Sequence, residues 1–252
     1  MGKVYFVGAG PGDPELLTVR GKKLLEAADL VIYAGSLVNP ELLDYTDEAE
    51  IYDSAGMDLD EIMEKIEAAL EREDLVVRLH TGDPALYGAL QEQIDYLKKR
   101  DITCEIIPGV SSFQAAASTL GREFTQPDGP QTLILTRMEG RTPVPESESL
   151  ERLASHNTSM AIFLSVHMIE EVVEKLQKEY PADTPAAVVE KASWPEERAV
   201  RGRLDDIAGR VKKAGIDSTA LILVGEFIEG EHGRSKLYDS SFSHGYREGD
   251  SS

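Results

Sequence analysis

The stretch Leu75-Val76-Val77-Arg78-Leu79-His80-Thr81-Gly82-Asp83-Pro84 decides the fold class. Leu75, Val76, Val77 and Leu79 read as a strand that runs into a Gly-Asp-Pro turn. Upstream, residues 58–72 make the clearest helix: Leu59, Ile62, Met63, Ile66, Ala69 and Leu70 recur at helical spacing. Downstream, a helix over 86–100 carries Leu90, Ile94 and Leu97. A strand over 103–107 then stops at Pro108-Gly109, and a small-residue helix follows over 111–120. Further back, strands are predicted over 4–7, 29–34 and 50–53. The first of these enters the turn Gly8-Ala9-Gly10-Pro11-Gly12-Asp13, where Asp13 suits a helix N-cap and Pro14 the first helical position. Strands alternating with helices imply a parallel sheet with helices on both faces.

Residues 121–130 are rich in Gly, Pro and polar side chains, which puts a domain boundary there. The second half repeats the style, with strands over 132–136, 160–166, 186–189 and 220–225 and helices near 148–155, 169–180 and 204–214. The expected class is therefore α/β: two α/β/α lobes, 1–120 and 121–228, each with a largely parallel central sheet. The Gly-, Ser- and charge-rich segment 229–252 is expected to be a flexible tail.

Forty-six acidic against 26 basic residues give a net charge of −20, which repels nucleic acid and anionic membranes alike. Such a surface suits either an ordinary acidic enzyme or one adapted to a salty cytoplasm, where screening shortens the repulsion. The single cysteine, Cys104, forms no intramolecular disulfide, and the five histidines are scattered, so no protein-bound metal is expected. No apolar run reaches about 18 residues, and the N-terminus lacks a basic segment followed by an apolar one. A cytoplasmic protein is expected.

The first glycine-rich turn fails the dinucleotide fingerprint, because Asp13 stands where the last glycine belongs and Pro11 removes an N–H. The Thr81-Gly82-Asp83-Pro84 turn is more informative, since open α/β sheets bind ligands off the carboxyl ends of their strands. Glycine admits a ligand close to backbone, while Asp83 offers an acceptor or simply caps the next helix. Pro108-Gly109-Val110-Ser111-Ser112 is a third such end, so three strand ends point to one crevice.

These motifs resemble those of the tetrapyrrole methylases, S-adenosylmethionine enzymes of corrin and sirohaem synthesis. GAGPGDPELLT (8–18) is similar to their opening signature, RLHTGD (78–83) to their middle element, and PGVSSFQAAAS (108–118) to the loop and helix after the fifth strand. YAGSLVNPELL (33–43), DSAGMDLDEI (53–62), LHTGDPALYGALQEQ (79–93), QTLILTRMEGRTPVPE (131–146), HNTSMAIFLS (156–165) and ASWPEE (192–197) resemble the branch that methylates C-11 of precorrin-4. The resemblance covers about residues 1–228. The uroporphyrinogen-methylating siblings usually carry an acid and an arginine after the second strand, where this chain has Ala34 and Gly35. Sibling activity at another ring position, such as C-20 or C-17, is the alternative.

The resemblance implies methyl transfer from S-adenosylmethionine, leaving S-adenosylhomocysteine, with the donor in a cleft between the lobes. Pro11, Gly82, Asp83, Leu86, Ser111, Ser112, Leu164, Ala192, Ala220 and Leu221 match cofactor-binding positions. The tetrapyrrole acceptor is rich in carboxylates, which calls for local cations: Arg78 first, then Arg137 and Arg141. Arg78, His80 and Asp83 are the catalytic candidates, with His80 placed to assist proton loss. Tyr87 shares that stretch, and Trp194 either covers the cofactor or packs. Family members are usually homodimers, so a homodimer is expected.

Overall fold

A computed structural model describes residues 2–230, 233 and 235–248. The chain forms two compact units, Met1–Ala115 with Lys191–Glu197, and Ala116–Glu190 with Arg198–Ser252. The first unit contains β1 (Lys3–Gly8), α1 (Val19–Glu26), β2 (Leu30–Tyr33), β3 (Glu50–Asp53), α2 (Leu59–Glu71), β4 (Leu75–His80), α3 (Leu90–Lys98) and β5 (Cys104–Ile107). The division falls within α4 (Ser112–Leu120).

The first sheet is parallel throughout, in the order β3-β2-β4-β1-β5. From β1 the chain crosses towards β2, and from the adjacent β4 it crosses the other way to β5. Right-handed crossovers in opposite directions land on opposite faces. Leu25 of α1 accordingly packs with Val7, Val31, Val77 and Leu79. Ile62, Met63 and Ile66 of α2, with Leu90 and Leu97 of α3, pack on Val4, Phe6, Ile32 and Val76. Each such buried aliphatic stabilises by about 1.5–3 kcal/mol. The carboxyl ends of β1 and β4 thus form the topological switch point, where this architecture leaves a crevice.

Local signals account for most boundaries. Asp58 and Glu61 close a capping box at the start of α2. Asp13 caps only a 3-10 turn, Pro14–Leu16; Thr18 then caps α1 by accepting from the Gly21 N–H. The helix predicted from residue 86 starts at Leu90, because Tyr87 (φ +56°) and Ala89 (φ +47°) hold left-handed backbone.

The second unit contains β6 (Leu133–Arg137), α5 (Leu150–Ala154), β7 (Ser159–Phe163), α6 (Ile169–Leu176), β8 (Pro185–Glu190), β9 (Arg198–Arg203), α7 (Ile207–Ala214) and β10 (Ala220–Val224). Its sheet order is β6-β7-β10-β8-β9. The expectation of a largely parallel sheet does not hold here: only β6 and β7 pair in parallel, and the other three pairings are antiparallel. The cause is β9, which sequence patterning did not reveal. Seven residues, 191–197, join β8 to β9, too few for a parallel crossover. That reversal sends β10 back between β7 and β8. It also lands α7 on the face already used by α5 and α6, since reversing both strand direction and crossover direction preserves the face. Leu150, Val172, Leu176, Ile207 and Val211 therefore share one cluster with Met160, Ile162, Val188 and Ile222. The three helices occupy one face instead of sandwiching the sheet.

Within 229–252 the described residues include a 3-10 turn at Lys236–Tyr238 and an isolated bridge between His244 and Arg247. Residues 231, 232, 234 and 249–252 lie outside the description, as does the structural setting of His232.

Candidate active site

In the first unit the three glycine-rich strand ends meet. The Ala9 N–H donates to the His80 carbonyl (2.7 Å), and Gly10 and Gly82 exchange both backbone hydrogen bonds (3.2 and 2.9 Å). Gly10 and Gly82 hold φ of +78° and +62°, which favours glycine. A Cβ on Gly109 would sit 2.2 Å from the Gly82 carbonyl oxygen, and one on Gly8 would sit 2.6 Å from the Gly109 Cα. Backbone therefore packs on backbone, and no larger residue fits.

Pro11, Gly82, Asp83, Ser111 and Ser112 all belong to these converging loops. Asp83 accepts from the Ala85 N–H through Oδ1 and from the Gly109 N–H through Oδ2, each at 2.9 Å. Both oxygens are engaged, which makes Asp83 a staple between the second and third loops and leaves it poorly suited to proton transfer. The Leu86 N–H donates to the Asp83 carbonyl, and Leu86 is half-buried. Ser111 is buried where α4 begins, its N–H donating to Gln114 Oε1 (2.9 Å), while Ser112 is half-buried.

Arg78 and His80, expected to face substrate, are 5% and 3% exposed. The alternation that turns Leu79 towards α1 turns both of them under α2 and α3. Arg78 donates to the Ile32 carbonyl (3.2 Å) and to Gln93 Oε1 (3.4 Å). Among the described residues no carboxylate lies within 4.0 Å of it. Burial draws its pKa down to about 10, so the guanidinium still carries an unneutralised charge at neutral pH. Burial, and secondarily the Arg78 charge, push His80 down to about 3. Its imidazole is therefore neutral, tilted against the Phe6 ring at 5.9 Å. His80 Nε2 and Thr81 Oγ1 are buried without a hydrogen-bond partner.

The segment Lys191–Glu197 leaves the second sheet between β8 and β9 and belongs to the first unit. It places Trp194 beside the first loop, and Ala192, two residues earlier, is 5% exposed. Asn39, which sequence reading passed over, donates through its side-chain nitrogen to the Gly12 carbonyl (2.9 Å) while its oxygen caps Glu41. The Asn39-Pro40 pair is a helix-start signal that marks the position.

In the second unit the remaining candidates gather at one end of the sheet. Arg137 ends β6 opposite Phe163, Leu164 follows β7, and Ala220 opens β10 opposite Glu190. Leu164 is 62% exposed with φ +53°, so it is no strand-core residue. Leu221 is buried and Ala220 half-buried. Arg137 does not present an open fork: it donates to the carbonyls of Met138 (3.4 Å), Thr142 (3.2 Å) and Pro143 (2.7 Å), bracing its own loop. Arg141, on that loop, is exposed. Among the described residues no group of three His, Cys, Asp or Glu side chains is placed to hold a metal ion.

A family model for Tetrapyrrole (Corrin/Porphyrin) Methylases matches residues 3–208. The cobalt-precorrin-4 C(11)-methyltransferase of Methanocaldococcus jannaschii is 56% identical over 248 residues, covering 97% of this chain and 96% of that one. The precorrin-4 C(11)-methyltransferase of Pseudomonas aeruginosa is 46% identical, covering 98% and 99%. Among solved structures, a cobalt precorrin-4 methyltransferase matches with TM-score 0.88 at 45% identity, over 90% of this chain and 96% of that one. The uroporphyrin-III C-methyltransferase of Thermus thermophilus, complexed with S-adenosylhomocysteine, matches with TM-score 0.76 at 29% identity, over 90% and 99%.

Proposed function

Because the chain belongs to the tetrapyrrole methylase family, we propose that it transfers a methyl group from S-adenosylmethionine to C-11 of precorrin-4 or of its cobalt-bearing counterpart, in cobalamin synthesis. The observation that carries this reading is the meeting of the three strand-end loops at the switch point of the first sheet. Close-packed glycine backbone and a buried serine at a helix start suit a ligand that brings a nucleoside close to the chain. When bound, the donor supplies an already activated methyl group.

The chain's own residues then position and exclude. Pro11, Gly82, Leu86, Ser111, Ser112 and Ala192 are the donor-site positions of the first unit, with Asp83 fixing the loops. Leu164, Ala220 and Leu221, which lie in the second unit, enter the reading only by likeness to the family. Holding donor and acceptor in line is worth effective molarities of about 10⁵ M or more, so positioning carries most of the rate. Arg78 acts on the acceptor from beneath, through the potential its unpaired charge raises at the strand ends, and exposed Arg141 meets carboxylates directly. Cytoplasmic residence and a homodimer complete the reading, by likeness to the family.

A sibling reaction on uroporphyrinogen is disfavoured at Gly35. Its φ is +61°, and a Cβ there would lie 2.9 Å from that of Ala55, leaving no room for the arginine those relatives carry. Titration calorimetry with S-adenosylhomocysteine tests the donor site, and turnover with each form of precorrin-4 tests the acceptor. Saturable binding and turnover are expected; binding without turnover of either form overturns the acceptor assignment.

A further inference from the structure

We infer that Trp194 is a positioning residue for the donor, acting through the first glycine-rich loop, an inference that rests on the donor-site reading above. Its indole Nε1–H donates to the Pro11 carbonyl at 2.8 Å. The ring fills the space over Gly12 so fully that a Cβ there would come within 2.0 Å of Trp194 Cδ1. Beside it, Ser193 Oγ accepts from the Asp13 N–H (3.0 Å). From another element, Asn39 donates to the Gly12 carbonyl, and Gly82 pairs with Gly10. Residues 10 to 13 are thus each held by a group from outside the loop.

The segment that delivers the indole is itself over-determined. Lys191 and Ser193 take left-handed backbone, φ +47° and +69°, which non-glycine residues adopt only at a cost. Glu197 Oε2 accepts from the Ser193 N–H (2.7 Å), and the Trp194 N–H donates to the Lys191 carbonyl (2.9 Å). Strained backbone held by several hydrogen bonds is the mark of a segment shaped for a task. The task that the contacts describe is to fix the Pro11 and Gly12 peptides before the ligand arrives, so that binding orders less of the chain. Gly12 is then required as the bare surface on which the indole rests.

Trp194 is the only tryptophan in the chain, so tryptophan emission comes from this ring alone. S-adenosylhomocysteine should shift or quench that emission saturably, with the Kd found by calorimetry. Trp194→Phe keeps a ring but loses the donated hydrogen bond; it should weaken binding roughly three- to tenfold, raising the KM for donor more than it lowers kcat. Gly12→Ala, which displaces the ring, should weaken binding more than Trp194→Phe does. Ser193→Ala, a smaller change on the same segment, should weaken it about two- to fivefold and serves if either other variant fails to fold. Wild-type affinity in folded Trp194→Phe and Ser193→Ala overturns the inference while sparing the donor site. No saturable binding by the wild type overturns both.

Discussion

The backbone N–H of Gly109 donates to Asp83 Oδ2 at 2.9 Å, tying the loop after β5 to the loop after β4. A residue that looks like an acid or base in the sequence is, in the fold, a clamp. Asp83→Ala leaves the Gly109 and Ala85 amides without their acceptor. It should lower stability by about 1–3 kcal/mol and weaken S-adenosylhomocysteine binding about tenfold or more. Thermal unfolding and calorimetry on the same samples check this. Unchanged affinity despite lost stability would detach the clamp from the donor site.

His80 makes stability depend on pH with a definite sign. Its folded pKa of about 3 lies below the ordinary 6.5, so between those values the unfolded chain binds a proton that the folded chain refuses. Stability from this residue is whole above pH 6.5 and is lost as pH falls towards 3. His80→Phe removes the linkage and should flatten the acid-side decline by up to about 1.4 kcal/mol per pH unit. Urea midpoints across that range for both proteins measure it; parallel curves would show that His80 is protonated when folded.

Leu164 combines exposure with left-handed backbone, a cost of about 1–2 kcal/mol. Leu164→Gly relieves that strain and adds about 0.5–1 kcal/mol of glycine entropy, so the melting temperature should stay close to wild type. On the proposal that places Leu164 among the donor-site positions, donor affinity should fall several-fold. A loss of stability without loss of affinity would make Leu164 a folding residue.

Arg137, at the end of β6, and Arg141, in the loop that follows, should separate cleanly. Arg141 is exposed, and Arg141→Ala should raise the KM for precorrin-4 roughly tenfold with the melting temperature unchanged. Arg137 braces three carbonyls, so Arg137→Ala should cost stability as well. Steady-state kinetics with thermal unfolding distinguish the pair.

The converging loops were legible because glycine and small polar residues punctuate strand ends for backbone reasons, which hold in any context. The parallel first sheet was legible because α2 advertises its face and its capping box. β9 was not: Arg198, Arg201 and Arg203 are exposed, so this edge strand shows no apolar alternation, and with it went the direction of β10. The burial of Arg78 and His80 was equally hidden, since their residue types suggest surface and only strand register puts them under α3. Trp194 was visible as a lone aromatic, but its contact with Gly12 spans 182 residues of sequence and needed the fold.

Methyl transfer to one ring carbon is read out by carbon-13 NMR of the product formed from methyl-labelled S-adenosylmethionine and precorrin-4, or its cobalt form. A single enriched methyl attached at C-11 is expected. Enrichment at another ring position, or none with the donor bound, would contradict it.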